Sequence, residues 1–403
     1  MRIYFDNAAT TPLDPRVTRT IRAQLDQGFG NPSSLHWAGR QARASVAQAR
    51  ARVAAMLHAE AGEIIFTGSG TEADNLALQG VIAASGRSRN HLITSGIEHP
   101  AVLQTCRALA RAGVDLTVLP ADGDGIVDPD ELRAAIRPTT SLVSIMTANN
   151  VVGTLQPIGE FGRIAREHGI PFHTDAVQAA GKVPMDVHHE SVDLVSLSAH
   201  KLHGPQGVGA LWVRSGVPMA PLVHGGGQEQ GLRSATENVA GVAGFGVAAE
   251  IAAAEMAAEA VRLVELRDHL IEGVCGLVPN AYLIGHRYRR LPGHVCLGFA
   301  GLEGEAIKLL LALDGAGIAV SSGSACSARH GAQPSHVLQA MGFDALRARG
   351  ALRVTLGRFS TRAEVDRLLD VLPAAVATLR PVTTYPMISS HHHQGVSDEQ
   401  RSK

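Results

Sequence analysis

The sequence predicts an α/β fold with a large, mostly parallel sheet flanked by helices, joined to a smaller α+β domain. Between about residues 60 and 215, short apolar runs alternate with amphipathic stretches, as they do in repeated strand–helix units. A long helical pattern from about 237 to 277 then leads to a second, shorter set of strand and helix patterns. The length of 403 residues is sufficient for two domains of this kind.

Seven short apolar runs are the candidate strands of the larger domain. They cover residues 63–67, 91–95, 115–119, 141–148, 170–175, 192–198 and 208–213. Most of these runs lead into a helix pattern; the stretch "HPAVLQTCRALARAG", for example, has Pro100 where a first helical turn tolerates it. Strand–helix alternation of this kind is typical of parallel pairing, so we predict a seven-stranded, mostly parallel sheet.

The smaller domain is predicted from the C-terminal third of the chain. Its strand candidates are "HVCLGFAG", "GIAVSSGS" and "ALRVTLGR", and its helix candidates are residues 304–314 and 362–379. Beyond residue 380 all periodicity is lost, and we expect residues 381–403, with the run His391–His393, to be a disordered tail. The predicted boundaries are 12–255 for the large domain, and 1–11 together with 256–380 for the small one.

Composition and charge argue against several classes of protein. The formal net charge is −1, which does not favour binding to nucleic acid or to an anionic membrane. The N-terminus lacks the apolar run of a secretory signal, and the apolar segment 238–260 contains Glu250, Glu255 and Glu259, so we expect a buried or dimer-facing helix there and no membrane span. The four cysteines lack the spacing of a disulfide framework or a metal cluster. We therefore predict a cytoplasmic protein without a dedicated metal site.

Polar residues collect at the carboxyl ends of the predicted strands, which is where open α/β sheets bind ligands. Gly70 and Thr71 begin a helix after the first strand, where free backbone N–H groups and the positive helix end can bind phosphate. His99 follows the second strand, and Asn149 and Asn150 follow the fourth. After the fifth and sixth strands come Asp175, Gln178, Ser198, His200 and Lys201. Each residue alone has an ordinary structural explanation, but their convergence on one sheet edge predicts a binding site.

This set of residues suits a phosphate-bearing heterocyclic aldehyde, pyridoxal 5′-phosphate (PLP). That cofactor needs a lysine amine for its aldehyde and a carboxylate for its protonated pyridine nitrogen. Arginine cannot replace the lysine, because it does not become a neutral amine at ordinary pH. The chain has only four lysines, and we expect Lys182 in a surface turn, Lys308 within a helix and Lys403 in the tail. Lys201 alone lies among the phosphate-type residues, so we predict that it binds the cofactor.

Nearly the whole chain resembles the cysteine desulfurases of the NifS/IscS type, which belong to the class-V aminotransferases and have the PLP-dependent transferase fold type I. The similarity runs from "YFDNAATTP" (4–12) to "TLGRFSTRAEVD" (355–366). Between these ends lie "FGNPSSLH", "GTEADN", "EHPAV", "HTDAVQAAGKVP", "SAHKLHGPQGVGAL", "HGGGQE", "RSATENV" and "SSGSAC". Several long matches in the same order make the resemblance specific.

The resemblance implies a role for each residue around the cofactor. Lys201 carries the cofactor and removes the Cα proton of the substrate, Asp175 meets the pyridine nitrogen, and His99 stacks on the ring and shuttles protons. Gln178 and Asn150 contact the ring hydroxyl.

The resemblance also implies how the phosphate and the substrate are held. The implied phosphate ligands are Gly70, Thr71, Ser198 and His200. Thr236 reaches the phosphate from a second subunit, which implies a homodimer. Asn150 and Arg353 hold the carboxylate of the substrate, L-cysteine.

Cys326 is the predicted nucleophile. Its setting, "SSGSAC", is small and polar, which suits an accessible thiolate on a loop. Cys106, Cys275 and Cys296 occupy apolar helix or strand positions, where we expect buried, unreactive thiols. In the family, the cysteine of this motif attacks the substrate sulfur. The resemblance therefore implies L-alanine and a Cys326 persulfide as products, with the sulfur passing to an acceptor such as an iron–sulfur scaffold protein.

Two other interpretations remain open from the sequence. A PLP-dependent aminotransferase, or a selenocysteine or cysteine lyase on the same fold, keeps Lys201 and Asp175 but needs no nucleophile at Cys326. A non-catalytic assembly platform keeps the fold without turnover, and such a protein is expected to lose one of these three residues. The presence of all three favours the desulfurase.

Overall fold

The computed structural model describes residues 2–86, 90–323 and 333–380, so Cys326 and the predicted tail 381–403 lie outside the described residues. In chain order the strands are β1 (Ile3–Tyr4), β2 (Ile64–Thr67), β3 (His91–Ser95), β4 (Asp115–Leu119), β5 (Thr140–Ser144), β6 (Phe172–Asp175), β7 (Leu194–Ser198), β8 (Gly209–Val213), β9 (Ala281–Leu283), β10 (His294–Phe299), β11 (Ile318–Ala319), β12 (Ser321–Ser322) and β13 (Leu352–Thr355). The helices are α1 (Pro15–Gln27), α2 (Trp37–Met56), α3 (Gly70–Ala84), α4 (Pro100–Arg111), α5 (Pro129–Ala135), α6 (Ile158–Glu167), α7 (Val239–Leu277), α8 (Ala306–Gly315), α9 (His336–Ala340) and α10 (Arg362–Leu379).

The large sheet has the strand order β2-β8-β7-β6-β5-β3-β4. Strands β3 to β7 run parallel to one another, and β8 pairs antiparallel with both β7 and β2. Thr67 at the end of β2 and Ser198 at the end of β7 both pair with Gly209, so β2 ends at the same edge as β7. The part of the chain that the structure describes thus confirms the predicted seven-stranded, mostly parallel sheet.

Side chains of the parallel strands alternate between two buried faces. On β3, Leu92 lies in a cluster with residues of α3 and α4, whereas Ile93 belongs to the core formed with α2, α6 and α7. Leu142 and Val143 of β5 repeat the same division. Because helices cover both faces, β3, β5, β6 and β7 are buried along their whole length, whereas the edge strand β4 is partly exposed.

The smaller sheet is antiparallel, with the order β12-β13-β10-β9. It shares a hydrophobic core with α8, α10 and the C-terminal half of α7. Strand β1 pairs in parallel with β11, which attaches the N-terminal residues to this core. The boundaries at residues 11/12 and 255/256 stay a prediction, and the second of them falls within α7, which contributes to both cores.

Among the described residues, α7 is the one helix that is long and apolar enough to cross a membrane by length and composition. Its N-terminal half is a core helix here, with Val242, Phe245 and Ala249 buried. A Cβ at Gly246 would lie only 2.5 Å from the Cα of Ala49, so α7 crosses α2 at very short range. Its Ala- and Gly-rich composition therefore reflects close helix packing, and the expected buried helix is confirmed.

Candidate active site

A cavity of about 320 Å³ opens at the carboxyl edge of the large sheet. A cavity of this size is large enough for a small organic ligand. Most of the predicted site residues line it: Gly70, Thr71, His99, Asn150, Asp175, Gln178, Ser198, His200, Lys201 and Arg353. The structure therefore brings these residues together, while their individual roles stay predictions.

Two predicted site residues are not part of this lining. Thr236 is exposed, and its contribution to the site of a second subunit stays a prediction. Cys326 lies outside the described residues. The lining also contains residues to which sequence reasoning gave no role: Ala8, Ala9, Ser69, Asp74, Met146 and Val177.

The start of α3 forms one end of the cavity. Ser69 caps this helix, and its hydroxyl oxygen accepts a hydrogen bond from the Glu72 N–H at 3.1 Å. A Cβ at Gly70 would lie 2.7 Å from the Val177 Cγ2 and 3.2 Å from the Ser198 Cβ, so only glycine fits this approach without displacing its neighbours. The N–H groups of a first helical turn have no partner within the helix, and a phosphate group can occupy such a position.

Asp175 is the last residue of β6, and its carboxylate is buried in the cavity wall. Burial raises the pKa of this carboxyl group to about 6, although the Val177 N–H, which donates to its Oδ1 at 2.9 Å, and the nearby Lys201 ammonium both lower it. A buried carboxylate of this kind is stabilised by a cationic partner. A protonated pyridine nitrogen is such a partner.

His99 caps the start of α4 with its ring, because its Nδ1 accepts a hydrogen bond from the Ala101 N–H at 3.1 Å. Burial lowers the pKa of His99 to about 4, with smaller contributions from Lys201 and His336. The imidazole is therefore neutral at neutral pH. Since Nδ1 is an acceptor, the ring proton lies on Nε2, which is the nitrogen left to donate to a ligand.

Lys201 ends the short 3-10 turn Ala199–Lys201 that follows β7. Its Nζ donates to the carbonyl oxygens of Ala8 and Ala9, the latter at 2.7 Å. The ring of His200 bonds through Nδ1 with the Thr10 hydroxyl at 3.1 Å. The N-terminal segment 8–10 is therefore a wall of the site, although about 190 residues separate it from the lysine.

The opposite end of the cavity is formed by Asn150 and by Arg353 on β13 of the smaller sheet. The Arg353 guanidinium donates to the Asn150 carbonyl at 2.9 Å and pairs with Asp6 at 2.8 Å. Within the described ranges, the Arg353 Nε and the Asn150 Oδ1 are buried without a hydrogen-bond partner. Asn149, by contrast, is structural: its side chain bonds to the Val151 N–H and the Ile97 carbonyl.

These observations fit PLP as the ligand of the cavity. A buried carboxylate, a lysine amine and an open helix start are the three groups that the cofactor requires. The unpartnered amide oxygen of Asn150 is a further feature that a bound ligand would explain.

Two predictions about individual side chains are wrong. Cys275 is exposed, because it lies on the solvent side of α7 where the helix packs on one face only. Cys106 and Cys296 are buried as predicted, and burial raises the pKa of each thiol to about 12. Lys182 does lie in a turn, but its side chain is partly buried and donates to the Gln178 Oε1 at 3.3 Å.

Comparisons with known proteins agree with this fold. Residues 3–368 match the family described as Aminotransferase class-V. The chain is 47% identical over 383 residues to the cysteine desulfurase IscS of Dictyoglomus turgidum, covering 95% of this chain and 96% of that protein. It is 48% identical over 378 residues to the cysteine desulfurase IscS of Methanosarcina thermophila, covering 94% and 93%. A solved NifS-like protein superimposes with a TM-score of 0.88 at 39% identity, covering 94% of this chain and 100% of that one.

The fold, the cavity and these matches together define a class-V aminotransferase, and the chain belongs to that family. The family is PLP-dependent and has the fold type I that the sequence predicts. Within it, the chain belongs to the cysteine desulfurases of the NifS/IscS type.

Proposed function

We propose that this chain takes the sulfur of L-cysteine with the help of PLP, releases L-alanine and holds the sulfur as a persulfide on Cys326. The observation that carries the proposal is the convergence of Lys201, Asp175, His99 and Arg353 on one cavity. The relatives named as cysteine desulfurases support the choice of reaction.

The cavity residues divide into a phosphate end, a ring wall and a substrate end. The N–H groups of Gly70 and Thr71 and the side chains of Ser198 and His200 would hold the phosphate. Asp175 would pair with the pyridine nitrogen, and Gln178 and Asn150 would contact the ring oxygen. When bound, PLP supplies an aldehyde that joins to amines and a ring that accepts the electron pair released at the substrate Cα.

Lys201 and His99 are the groups that move protons in this proposal. The Lys201 amine takes the Cα proton of L-cysteine, which requires the amine to be neutral at that moment. His99 is neutral at neutral pH, and its Nε2–H is free to donate a proton while Nδ1 stays bonded to the Ala101 N–H. Arg353 and Asn150 orient the substrate by its carboxylate, so that the Cα–H bond faces Lys201.

Cys326 performs the sulfur transfer. Its thiolate attacks the substrate Sγ, a sulfur–sulfur bond forms and the Cβ–Sγ bond breaks, with the electron pair remaining on Cβ. Protonation of Cβ and the return of a proton to Cα complete L-alanine, and Cys326 carries the sulfur as a persulfide. The persulfide sulfur then passes to an acceptor protein, such as an iron–sulfur scaffold.

We further propose that the chain works as a cytoplasmic homodimer. Thr236 is exposed in the single chain, which agrees with a role in the site of a second subunit. Phe29, Leu35 and Trp37 form an exposed apolar surface that suits an interface between two copies.

The experiment that tests the proposal measures L-alanine and sulfide released from L-cysteine in the presence of a reductant. We expect release by the wild type and by Cys275→Ala, which removes an exposed thiol, and no release by Cys326→Ala. Equal release by Cys326→Ala would point to a lyase that eliminates sulfide directly. No release by the wild type, with the cofactor bound at Lys201, would favour another PLP reaction or a platform role.

A further inference from the structure

A second cavity of about 70 Å³, the rear cavity, lies behind the first, the front cavity. The rear cavity lies between α7, the N-terminal segment and the smaller sheet. The two cavities share Ala8, Gln178 and Lys201, which therefore form the wall between them. Lys182 lines the rear cavity and is not part of the front lining. These three residues therefore separate the Lys182 side chain from the cofactor site.

The contacts of Gln178 fix the direction of its side-chain amide. Lys182 Nζ donates to the Gln178 Oε1 at 3.3 Å, and the Gln178 Nε2 donates to the Ala8 carbonyl oxygen at 2.9 Å. An ammonium group can only donate and a carbonyl oxygen can only accept. The two partners, one at each end, therefore decide which end of the amide is oxygen and which is nitrogen.

This direction determines what Gln178 can offer to a ligand in the front cavity. Its oxygen is directed to Lys182 in the rear cavity, and one of its two N–H bonds is used by Ala8. The group that remains for the front cavity is the second N–H of Nε2. A ligand atom that meets Gln178 there must accept a hydrogen bond, and a deprotonated oxygen accepts more strongly than a hydroxyl group.

Lys182 also polarises the amide that it holds. Its positive charge draws electron density toward Oε1, and hydrogen bonds in such a chain strengthen one another. An ammonium group is costly to bury without a partner, and Gln178 provides that partner here. Burial lowers the pKa of Lys182 to about 7, and the nearby Lys201 ammonium adds to this effect, so the charge that polarises Gln178 is fully present only below neutral pH.

We propose that Lys182 is a positioning residue that holds Gln178 as a hydrogen-bond donor toward the cofactor's ring oxygen and thereby favours the deprotonated form of that oxygen. This inference rests on the proposed binding of PLP in the front cavity. It assigns Lys182 no contact with the cofactor or with L-cysteine, because Lys182 acts on the ring oxygen through the Gln178 amide.

The test compares the wild type with Lys182→Met, which keeps most of the length of the side chain and removes the charge, and with Lys182→Arg, which keeps a charged donor. Two quantities are measured on each protein: the dissociation constant for PLP and the pH midpoint of the bound cofactor's absorbance change. We expect Lys182→Met to weaken PLP binding about tenfold. We expect its absorbance midpoint to rise by about one pH unit, since a poorer donor stabilises the deprotonated oxygen less. Lys182→Arg should restore both quantities to near the wild-type values.

An unchanged midpoint in Lys182→Met would overturn the proposal, even if that variant melted at a lower temperature, because a purely structural role would not move the titration. A wild type that binds PLP with a normal titration but forms no L-alanine would overturn the proposed reaction instead. In that case the two measurements on Lys182→Met would still decide the role of Lys182.

Discussion

Arg353 and Asp6 form an ion pair at 2.8 Å that joins the smaller sheet to the N-terminal segment beside the front cavity. Arg353 is only 3% exposed, and its other terminal nitrogen donates to the Asn150 carbonyl at 2.9 Å. Its Nε has no hydrogen-bond partner in the part of the chain that the structure describes. The guanidinium is thus fixed by two protein oxygens and retains donor capacity for an anion.

Arg353→Lys is expected to raise the KM for L-cysteine about ten- to a hundredfold, corresponding to about 1.5–3 kcal/mol for a hydrogen bond to a charged group. A lysine ammonium is a point charge, and it cannot contact Asp6, Asn150 and a substrate carboxylate with the fixed geometry of a guanidinium. Steady-state kinetics measure the effect, and the exposed Arg349→Lys is the matched control. Equal KM values for the two variants would contradict a substrate-binding role for Arg353.

Gly70→Ala is expected to weaken PLP binding about tenfold and to lower the free energy of unfolding by about 1–3 kcal/mol. The added methyl group would lie 2.7 Å from the Val177 Cγ2, so either Val177 or the start of α3 has to move. Gly62→Ala is the control, because a Cβ there meets nothing within 4 Å. PLP titration and urea denaturation test both effects. An affinity equal to that of the control would show that the helix start does not hold the cofactor.

The buried carboxyl group of Glu98 makes stability depend on pH. Burial raises its pKa to about 8 from the ordinary value of 4.5, although the Ser95 hydroxyl and the Met146 N–H both donate to its Oε1. The folded protein therefore holds this proton more tightly than the unfolded chain does. The contribution of Glu98 is most favourable below about pH 4.5 and is lost as the pH rises toward 8.

Glu98→Gln is expected to remove this dependence, because the amide keeps an oxygen for Ser95 and Met146 and does not ionise. Relative to the wild type, the variant should gain up to about 1.4 kcal/mol of unfolding free energy per pH unit between pH 5 and 8. Urea denaturation at three pH values measures this difference. The exposed Glu131→Gln is the control. Parallel pH profiles for the wild type and Glu98→Gln would contradict a raised pKa at Glu98.

Much of the large domain could be predicted because helices bury both faces of its sheet. Strands β3 and β4 have the predicted bounds, although β4 is a partly exposed strand at the edge of the sheet. The predicted strand 141–148 extends beyond the observed one, because β5 ends at Ser144. The Ile145 and Thr147 N–H groups still donate to carbonyl oxygens of β6, while the Met146 N–H donates to the buried Glu98 carboxylate. Apolar character marks burial, and it does not mark the end of strand pairing.

The contacts that complete the site had no local signal in the sequence. Lys201 donates to the carbonyl oxygens of Ala8 and Ala9, and backbone carbonyls carry no side-chain pattern. Lys182 follows a glycine in a turn, which is typical of surface positions, but the packing of α7 and the smaller sheet forms a cavity around it. Such contacts depend on how the two hydrophobic cores meet, which residue patterns within one segment do not determine.

The segment 29–37 presents an apolar surface to solvent in the single chain. Phe29, Leu35 and Trp37 are 78%, 82% and 62% exposed. The rings of Phe29 and Trp37 contact each other edge to face, with 6.0 Å between centroids. Large aromatic side chains clustered at a surface are typical of protein interfaces, and Trp is the residue most often found at their energetic centre.

Trp37→Asp is therefore expected to weaken the proposed homodimer about 30-fold or more, which corresponds to about 2 kcal/mol for an aromatic residue at the centre of an interface. A carboxylate at this position would lose the contact with Phe29 and would be desolvated on association. Sedimentation equilibrium over a dilution series measures the dissociation constant, starting from a wild type expected at twice the 42.2 kDa of one chain. Tyr288→Asp is the control, because Tyr288 is 81% exposed outside this segment. A wild type that stays monomeric, or two variants that dissociate equally, would show that segment 29–37 does not form the interface.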